Sequence, residues 1–248
     1  MHGLVPFQLL VRNRISPAGA RVTGGRAAQR LADKVGTALA QVIFRLGLAL
    51  ALAAPGAAVA GEQAYEPLSA SVQAALNRSI SDQATPYLAF DTEAEARRWL
   101  AAMSKRLASR IADRLQREEL LISVHYEAKR AGLDPQLVLG LIQVESNFRK
   151  YAVSHSGAKG YMQVMPFWVE LIGRAEDNLF HLRTNLRFGC VILRHYLDQE
   201  QGDLYRALGR YNGSLGKPHY PTLVVRAWQR NWHYATHTGV TARAATRS

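Results

Sequence analysis

Asp134-Pro135-Gln136-Leu137-Val138-Leu139-Gly140-Leu141-Ile142-Gln143-Val144-Glu145-Ser146 is the run on which the fold and the chemistry of this chain turn. Asp134 and Pro135 form a helix start: a side-chain acceptor for open N–H groups, then a residue whose fixed φ suits the first helical position. Val138, Leu141, Ile142 and Glu145 fall at i, i+3, i+4 and i+7, so one helix face is apolar until its last turn delivers a carboxylate. A carboxyl group between apolar walls is penalised when ionised, and its pKa rises. A proton held near neutrality is what a general acid needs.

Downstream lie Asn147-Phe148, Ala152-Val153-Ser154 and Gly157-Ala158-Lys159-Gly160-Tyr161-Met162-Gln163-Val164-Met165-Pro166. The glycines permit backbone turns that a side chain would obstruct. Met162 offers a soft apolar contact and Gln163 an amide that both donates and accepts. Farther on, Tyr211-Asn212-Gly213 closes a helix begun near Asp203, placing an aromatic and an amide at a helix-to-loop junction. An apolar surface with a few amides and hydroxyls suits a ligand such as an N-acetylated sugar.

The run from Asp134 to Pro166, followed by Tyr211-Asn212, resembles the soluble lytic murein transglycosylase (SLT) family 1 catalytic domain of the lysozyme-like superfamily. The resemblance extends over roughly Leu120 to Trp232. Glu145-Ser146 is similar to the family's catalytic glutamate and following serine, and Gly160-Tyr161-Met162-Gln163 to its Gly-Leu-Met-Gln motif. Tyr211-Asn212 resembles the end of its Ala-Tyr-Asn motif, and Asn185 to Gly189, with Tyr196-Leu197 behind, its Asn-x-x-x-Gly helix. Tyr161 stands where Leu is usual and Arg210 where Ala is usual; both neighbour motif residues and bear on substrate fit.

The resemblance implies a peptidoglycan lytic transglycosylase that cleaves the β-1,4 bond between N-acetylmuramic acid and N-acetylglucosamine. Glu145 would act first as acid and then as base, leaving a 1,6-anhydro sugar. Ser146, Met162, Gln163, Tyr211 and Asn212 would bind substrate, with Tyr211 orienting Glu145 or the bound acetamido group. The alternatives are a lysozyme-like hydrolase of the same bond and a non-catalytic wall-binding or secretion-machinery scaffold. A hydrolase of the retaining or inverting kind needs a second carboxylate within about 10 Å. Glu170, Glu176 and Asp177 are near enough in sequence to consider, but their acid-rich surroundings read as solvated surface.

The fold expected is mostly α, with at most a small β element around Gly160 to Val164, preceded by N-terminal helices. Helices are readable at 69–80, 118–131, 134–145, 166–173, 184–200, 203–211 and 220–233. Thr92 and Glu95 mark a further start, after which Trp99, Leu100, Met103, Leu107, Ile111 and Leu115 keep helical spacing. One long helix is expected there, with Arg97, Arg98, Lys105, Arg106, Arg110 and Arg114 on its other side as a solvated face. The expected organisation is residues 1–60 a leader, 61–117 a helical N-terminal region, 118–234 the lysozyme-like domain and 235–248 a flexible tail.

Charge separates the leader from the rest. The chain of 248 residues carries 31 Lys+Arg against 19 Asp+Glu, and half of its +12 balance lies in residues 1–60. There a basic stretch precedes the apolar run Val42 to Ala54, which ends at Pro55-Gly56 and at Ala58-Val59-Ala60. This is a signal-peptide layout with an over-long basic region, cleaved after Ala60. Export to the periplasm is expected, with no stable membrane span after cleavage, since Arg45 interrupts the best apolar run. The remaining +6 would favour encounter with an anionic wall polymer.

The other chemistry-bearing residues point to no second activity. A single Cys excludes an internal disulfide, and Cys190 sits in an apolar stretch as a small hydrophobe. The histidines show no repeated metal spacing, so neither metal nor cofactor is expected. Ser146 and His155 lack the glycine elbow of a serine nucleophile. Trp168, Trp228 and Trp232 fit core packing. No aromatic interleaving or nucleic-acid motif accompanies the basic stripe, so nucleic acid is not an expected partner. Glycan strands are, and a secretion or wall-assembly machinery is left open.

Overall fold

The computed structural model describes residues 63–81 and 83–235. The expected leader, with its cleavage site, and all but the first residue of the expected tail lie outside the described residues. The described chain is mostly α: α1 (Ala70–Ile80), α2 (Glu93–Leu107), α3 (Arg114–Arg130), α4 (Pro135–Glu145), α5 (Phe167–Ile172), α6 (Leu182–Gln199), α7 (Leu204–Tyr211) and α8 (His219–Ala227), then a π-helical turn (Trp228–Trp232). Among the described residues, β structure amounts to two isolated bridges, Val153 with Lys159 and Lys159 with Val164.

Side-chain caps set most of the helix starts. Ser69, Thr92, Asp113, Asp134 and Asp203 each accept from a backbone N–H two or three residues on. Such a cap is worth about 1 kcal/mol, because it satisfies a donor that the helix leaves open. The caps also explain where the sequence reading fails. The long helix expected from Thr92 to Leu115 stops at Leu107, and Asp113 starts α3 through an Oδ1–N bond of 2.7 Å to Gln116. Arg117 donates to the carbonyls of Ile111 and Ala112 at 2.8 and 2.7 Å, filling acceptors that the break opens. Leu115 is accordingly on the surface, 69% exposed. The boundary expected between 117 and 118 therefore falls inside α3.

The core lies around α4, which is buried along nearly its whole length and packs against α3, α8 and the π-helical turn. α6 contributes the second buried face, from Leu186 to Leu197, with Cys190 inside it. Between α3 and α6, Glu127 is fully buried and meets Arg130 at 3.2 Å and Arg183 and Arg187 at 3.4 Å. Arg187 also donates to the Ile80 carbonyl at 3.0 Å, which ties the end of α1 into this cluster. Trp99, Trp168 and Trp232 are core residues. The basic side of α2 and the stretch after it is exposed along Arg97, Arg98, Lys105, Arg106, Arg110 and Arg114, as expected of a solvated face, although Arg106 donates to the carbonyls of Asn231 and His233 and Arg110 to Asn147.

Candidate active site

Glu145 ends α4 and is 7% exposed. Its Oε1 accepts a hydrogen bond from the Tyr220 hydroxyl of α8. Burial pushes the Glu145 carboxyl up to about 8, and the Tyr220 hydroxyl opposes part of that rise by favouring the ionised form. The group is thus a carboxylic acid at neutral pH, held by one phenol.

The backbone turns sharply behind it. Asn147 and Phe148 have φ of 47° and 63°, a left-handed region costly for a residue with a bulky side chain. The turn is held from outside: the Phe148 ring packs on Trp232 with centroids 5.2 Å apart, and Arg110 Nε donates to Asn147 Oδ1 at 2.9 Å. Ser146 is buried, and its Oγ donates to the Tyr161 carbonyl at 2.8 Å. It therefore fastens the end of α4 to the glycine-containing loop.

That loop is organised by α6. Asn185 accepts from Met162 N at 2.8 Å and donates to the carbonyls of Lys159 and Leu179 at 2.8 and 2.9 Å. Gly160 takes φ +78°, and a Cβ on it would stand 2.4 Å from Asn185 Nδ2. One helical turn beyond Asn185, a Cβ on Gly189 would stand 2.4 Å from Met162 Sδ. The Asn-x-x-x-Gly spacing is thus explained: Asn185 pins the loop backbone, and Gly189 leaves room for the side chain that the loop brings in. Gln163 sits at φ 49°, with its Nε2 donating to the Ala152 and Gly160 carbonyls at 3.2 and 2.9 Å.

Met162 and Gln163 were expected to line the groove. Met162 is wholly buried and Gln163 nearly so, so both shape the site from behind its surface. Tyr211 is buried at the end of α7, and its hydroxyl donates to the Met162 carbonyl at 2.7 Å. Burial raises the pKa of the Tyr211 phenol, and the Glu145 charge adds to the rise. The hydrogen-bonding partner of Glu145 is nonetheless Tyr220, which the sequence reading did not single out. Tyr220 lies at the start of α8, which packs along α4, and no sequence spacing marks that contact. Asn212 donates to Ser214 Oγ at 3.0 Å, while its Oδ1 is buried with no hydrogen-bond partner.

The three acidic residues considered as second carboxylates lie together in a separate hollow beside Gly173. Asp177 Oδ2 accepts from Arg174 N at 2.9 Å, and Glu176 pairs with Arg174 at 3.5 Å. Burial and Tyr220 are the influences acting on the Glu145 carboxyl.

Residues 123–220 match the family described as the transglycosylase SLT domain. Over 88 residues the chain is 35% identical to a transglycosylase of Enterobacteria phage PRD1, an overlap covering 36% of this chain and 32% of the phage protein. It is 40% identical over 128 residues to membrane-bound lytic murein transglycosylase C of Mannheimia succiniciproducens, covering 45% and 34% of the two chains. A protein of the same name from Actinobacillus pleuropneumoniae is 56% identical over 39 residues, covering 16% and 11%. The chain spans about a third or less of the length of these relatives. No solved structure matches it. With Glu145-Ser146, the glycine loop, the Asn185 helix and Tyr211 all inside the matched segment, residues 123–220 belong to the transglycosylase SLT domain family.

Proposed function

We propose that this protein is a peptidoglycan lytic transglycosylase, with Glu145 as its single acid and base. The observation that carries the reading is the Glu145 carboxyl, protonated at neutral pH through burial and held by Tyr220. In the first step Glu145 gives its proton to the glycosidic oxygen between N-acetylmuramic acid and N-acetylglucosamine, and the bond from that oxygen to the muramoyl anomeric carbon breaks. The carboxylate then takes the proton of the muramoyl 6-hydroxyl as that oxygen bonds to the anomeric carbon. The 1,6-anhydro product forms, Glu145 regains its proton, and no water is consumed. Tyr220 suits both halves of this cycle, since its hydroxyl supports the carboxylate that exists between the two proton transfers. Tyr211, Ser146, Met162, Gln163 and Asn212 are proposed to form the buried layer that shapes the surface on which the sugar lies.

Digestion of peptidoglycan with the wild-type protein and with Glu145→Gln, followed by mass spectrometry of the released fragments, tests this. Products one water lighter than reducing-end sugars, lost in the variant, are expected. Reducing-end products would make the enzyme a hydrolase, and binding without release by either protein would make it a scaffold. We further propose that residues 1–60 are a signal peptide, that the mature chain begins at Gly61 and works in the periplasm, and that 118–234 is its catalytic domain. The mass of the protein recovered from periplasm checks the cleavage site. A surplus of basic residues in 61–248 favours approach to an anionic wall, so binding should weaken with salt.

A further inference from the structure

The chain ahead of α1 reaches the site. Gln63 lies sixty residues before the matched segment, yet it is only 4% exposed and its Oε1 accepts from Met165 N at 3.3 Å. Met165 closes the loop that carries Met162 and Gln163. The other half of the Gln63 amide is unfinished: Nε2 is buried and makes no hydrogen bond. The Gln63 side chain also acts on the buried Tyr211 phenol, in the sense that favours its ionised form. Tyr211 gives its own proton to the Met162 carbonyl, which leaves its oxygen lone pairs as acceptors. A buried donor without an acceptor and a phenol oxygen with acceptor capacity thus both belong to residues bound to the Met162–Met165 turn.

Four further contacts hold the segment in place. The Tyr65 ring packs edge-on against Phe167, with centroids 5.7 Å apart. Glu66 Oε1 accepts from Arg210 at 2.8 Å, and Arg210 is bound in turn by Glu200. Asn77 Nδ2 donates to the Ile172 carbonyl at 2.8 Å, and Gln73 donates to that of Leu171, which fixes α1 on α5. Arg210 directly precedes Tyr211, at the position where the family resemblance suggests Ala. The arginine has a role only because Glu66 and Glu200 are there to receive it.

We propose that Gln63 is a positioning residue of the active site: its amide joins the Met162–Met165 turn to the Tyr211 hydroxyl, and the Glu66–Arg210–Glu200 network holds it there. The polypeptide ahead of α1 then completes a site whose other residues lie within 123–220. This rests on the lytic transglycosylase reading for its activity readout but not for its spectroscopic one.

The test uses the full chain with Gln63→Ala, Gln63→Glu and Arg210→Ala. Gln63→Glu keeps an acceptor for Met165 N and lacks the donor toward Tyr211. With ring-labelled tyrosine, the Cζ resonance of Tyr211, identified by its loss in Tyr211→Phe, should move in both Gln63 variants while that of Tyr220 stays. The kcat for release of anhydro-muropeptides should fall roughly tenfold in each, the effect of leaving a buried polar group misplaced. In the Arg210→Ala background, Gln63→Ala should add little, because the amide has already lost its support. An unmoved Tyr211 resonance overturns the proposal. So does a kcat loss that merely follows the fall in Tm and adds in full to that of Arg210→Ala. Should the wild type release no anhydro sugar, the functional reading fails, while the tyrosine resonances still decide whether Gln63 holds Tyr211.

Discussion

At Glu145 the sign of the pH effects follows from one number. Burial lifts the carboxyl from an ordinary 4.5 to about 8, so between these values the folded protein keeps a proton that the unfolded chain releases. Stability is therefore greatest below about pH 4.5 as far as this group is concerned, and it declines as pH rises to about 8. Glu145→Gln removes the dependence, and its gain in Tm over wild type should grow from pH 5 to pH 8. The acid step needs the protonated form, so kcat should fall as pH passes about 8. Tyr220→Phe removes the hydroxyl that favours the ionised form. Its alkaline limb should move upward while kcat drops roughly tenfold, as a pH profile of kcat would record. Glu145 was legible in the sequence because an apolar stripe and a carboxylate share one period. Tyr220 was not, because contact between α4 and α8 is a property of the tertiary fold and leaves no spacing to read.

At the scale of the element, the clearest lesson is the interruption between α2 and α3. Ile111 and Leu115 continue the apolar period of Trp99, Met103 and Leu107, so spacing alone predicts one helix. The competing cap at Asp113 and the Arg117 bonds to the Ile111 and Ala112 carbonyls decide for two. Asp113→Ala should cost about 1 kcal/mol in urea unfolding, with activity retained. α4 carries a stricter demand. A Cβ on Gly140 would stand 2.8 Å from the Trp228 backbone nitrogen, so helix and π-turn approach there as closely as their backbones allow. Gly140→Ala, which improves helix propensity, should nevertheless destabilise by about 1–3 kcal/mol through overpacking. It should also displace Trp232, whose Nε1 donates to Gln143 Oε1 on α4 at 2.8 Å and whose ring supports Phe148. Tryptophan fluorescence beside the denaturation curve separates the two effects.

Across the whole molecule, charge is placed to join elements that are distant in sequence. Glu127 gathers Arg130, Arg183 and Arg187 from α3 and α6, and Arg187 extends the tie to α1 through Ile80. Glu127→Ala would take this carboxylate from the buried Arg187 and the half-buried Arg130 and Arg183, and about 3 kcal/mol of stability should be lost on thermal or urea unfolding. The sequence shows Glu127 and Arg130 as an i,i+3 pair on one helix, but not that Arg183 and Arg187 of another helix join them. The Arg210–Glu66 contact has the same long-range character, and it bears on how such a domain can be inherited. Arg210 lies inside 123–220 and Glu66 outside it, so a segment exchanged at those borders that brought Ala to position 210 would leave Glu66 only its long contact with Gln199, at 3.5 Å. The domain is thus not freely modular: an exchange that preserves this contact must carry the leading segment and the domain together, or replace both.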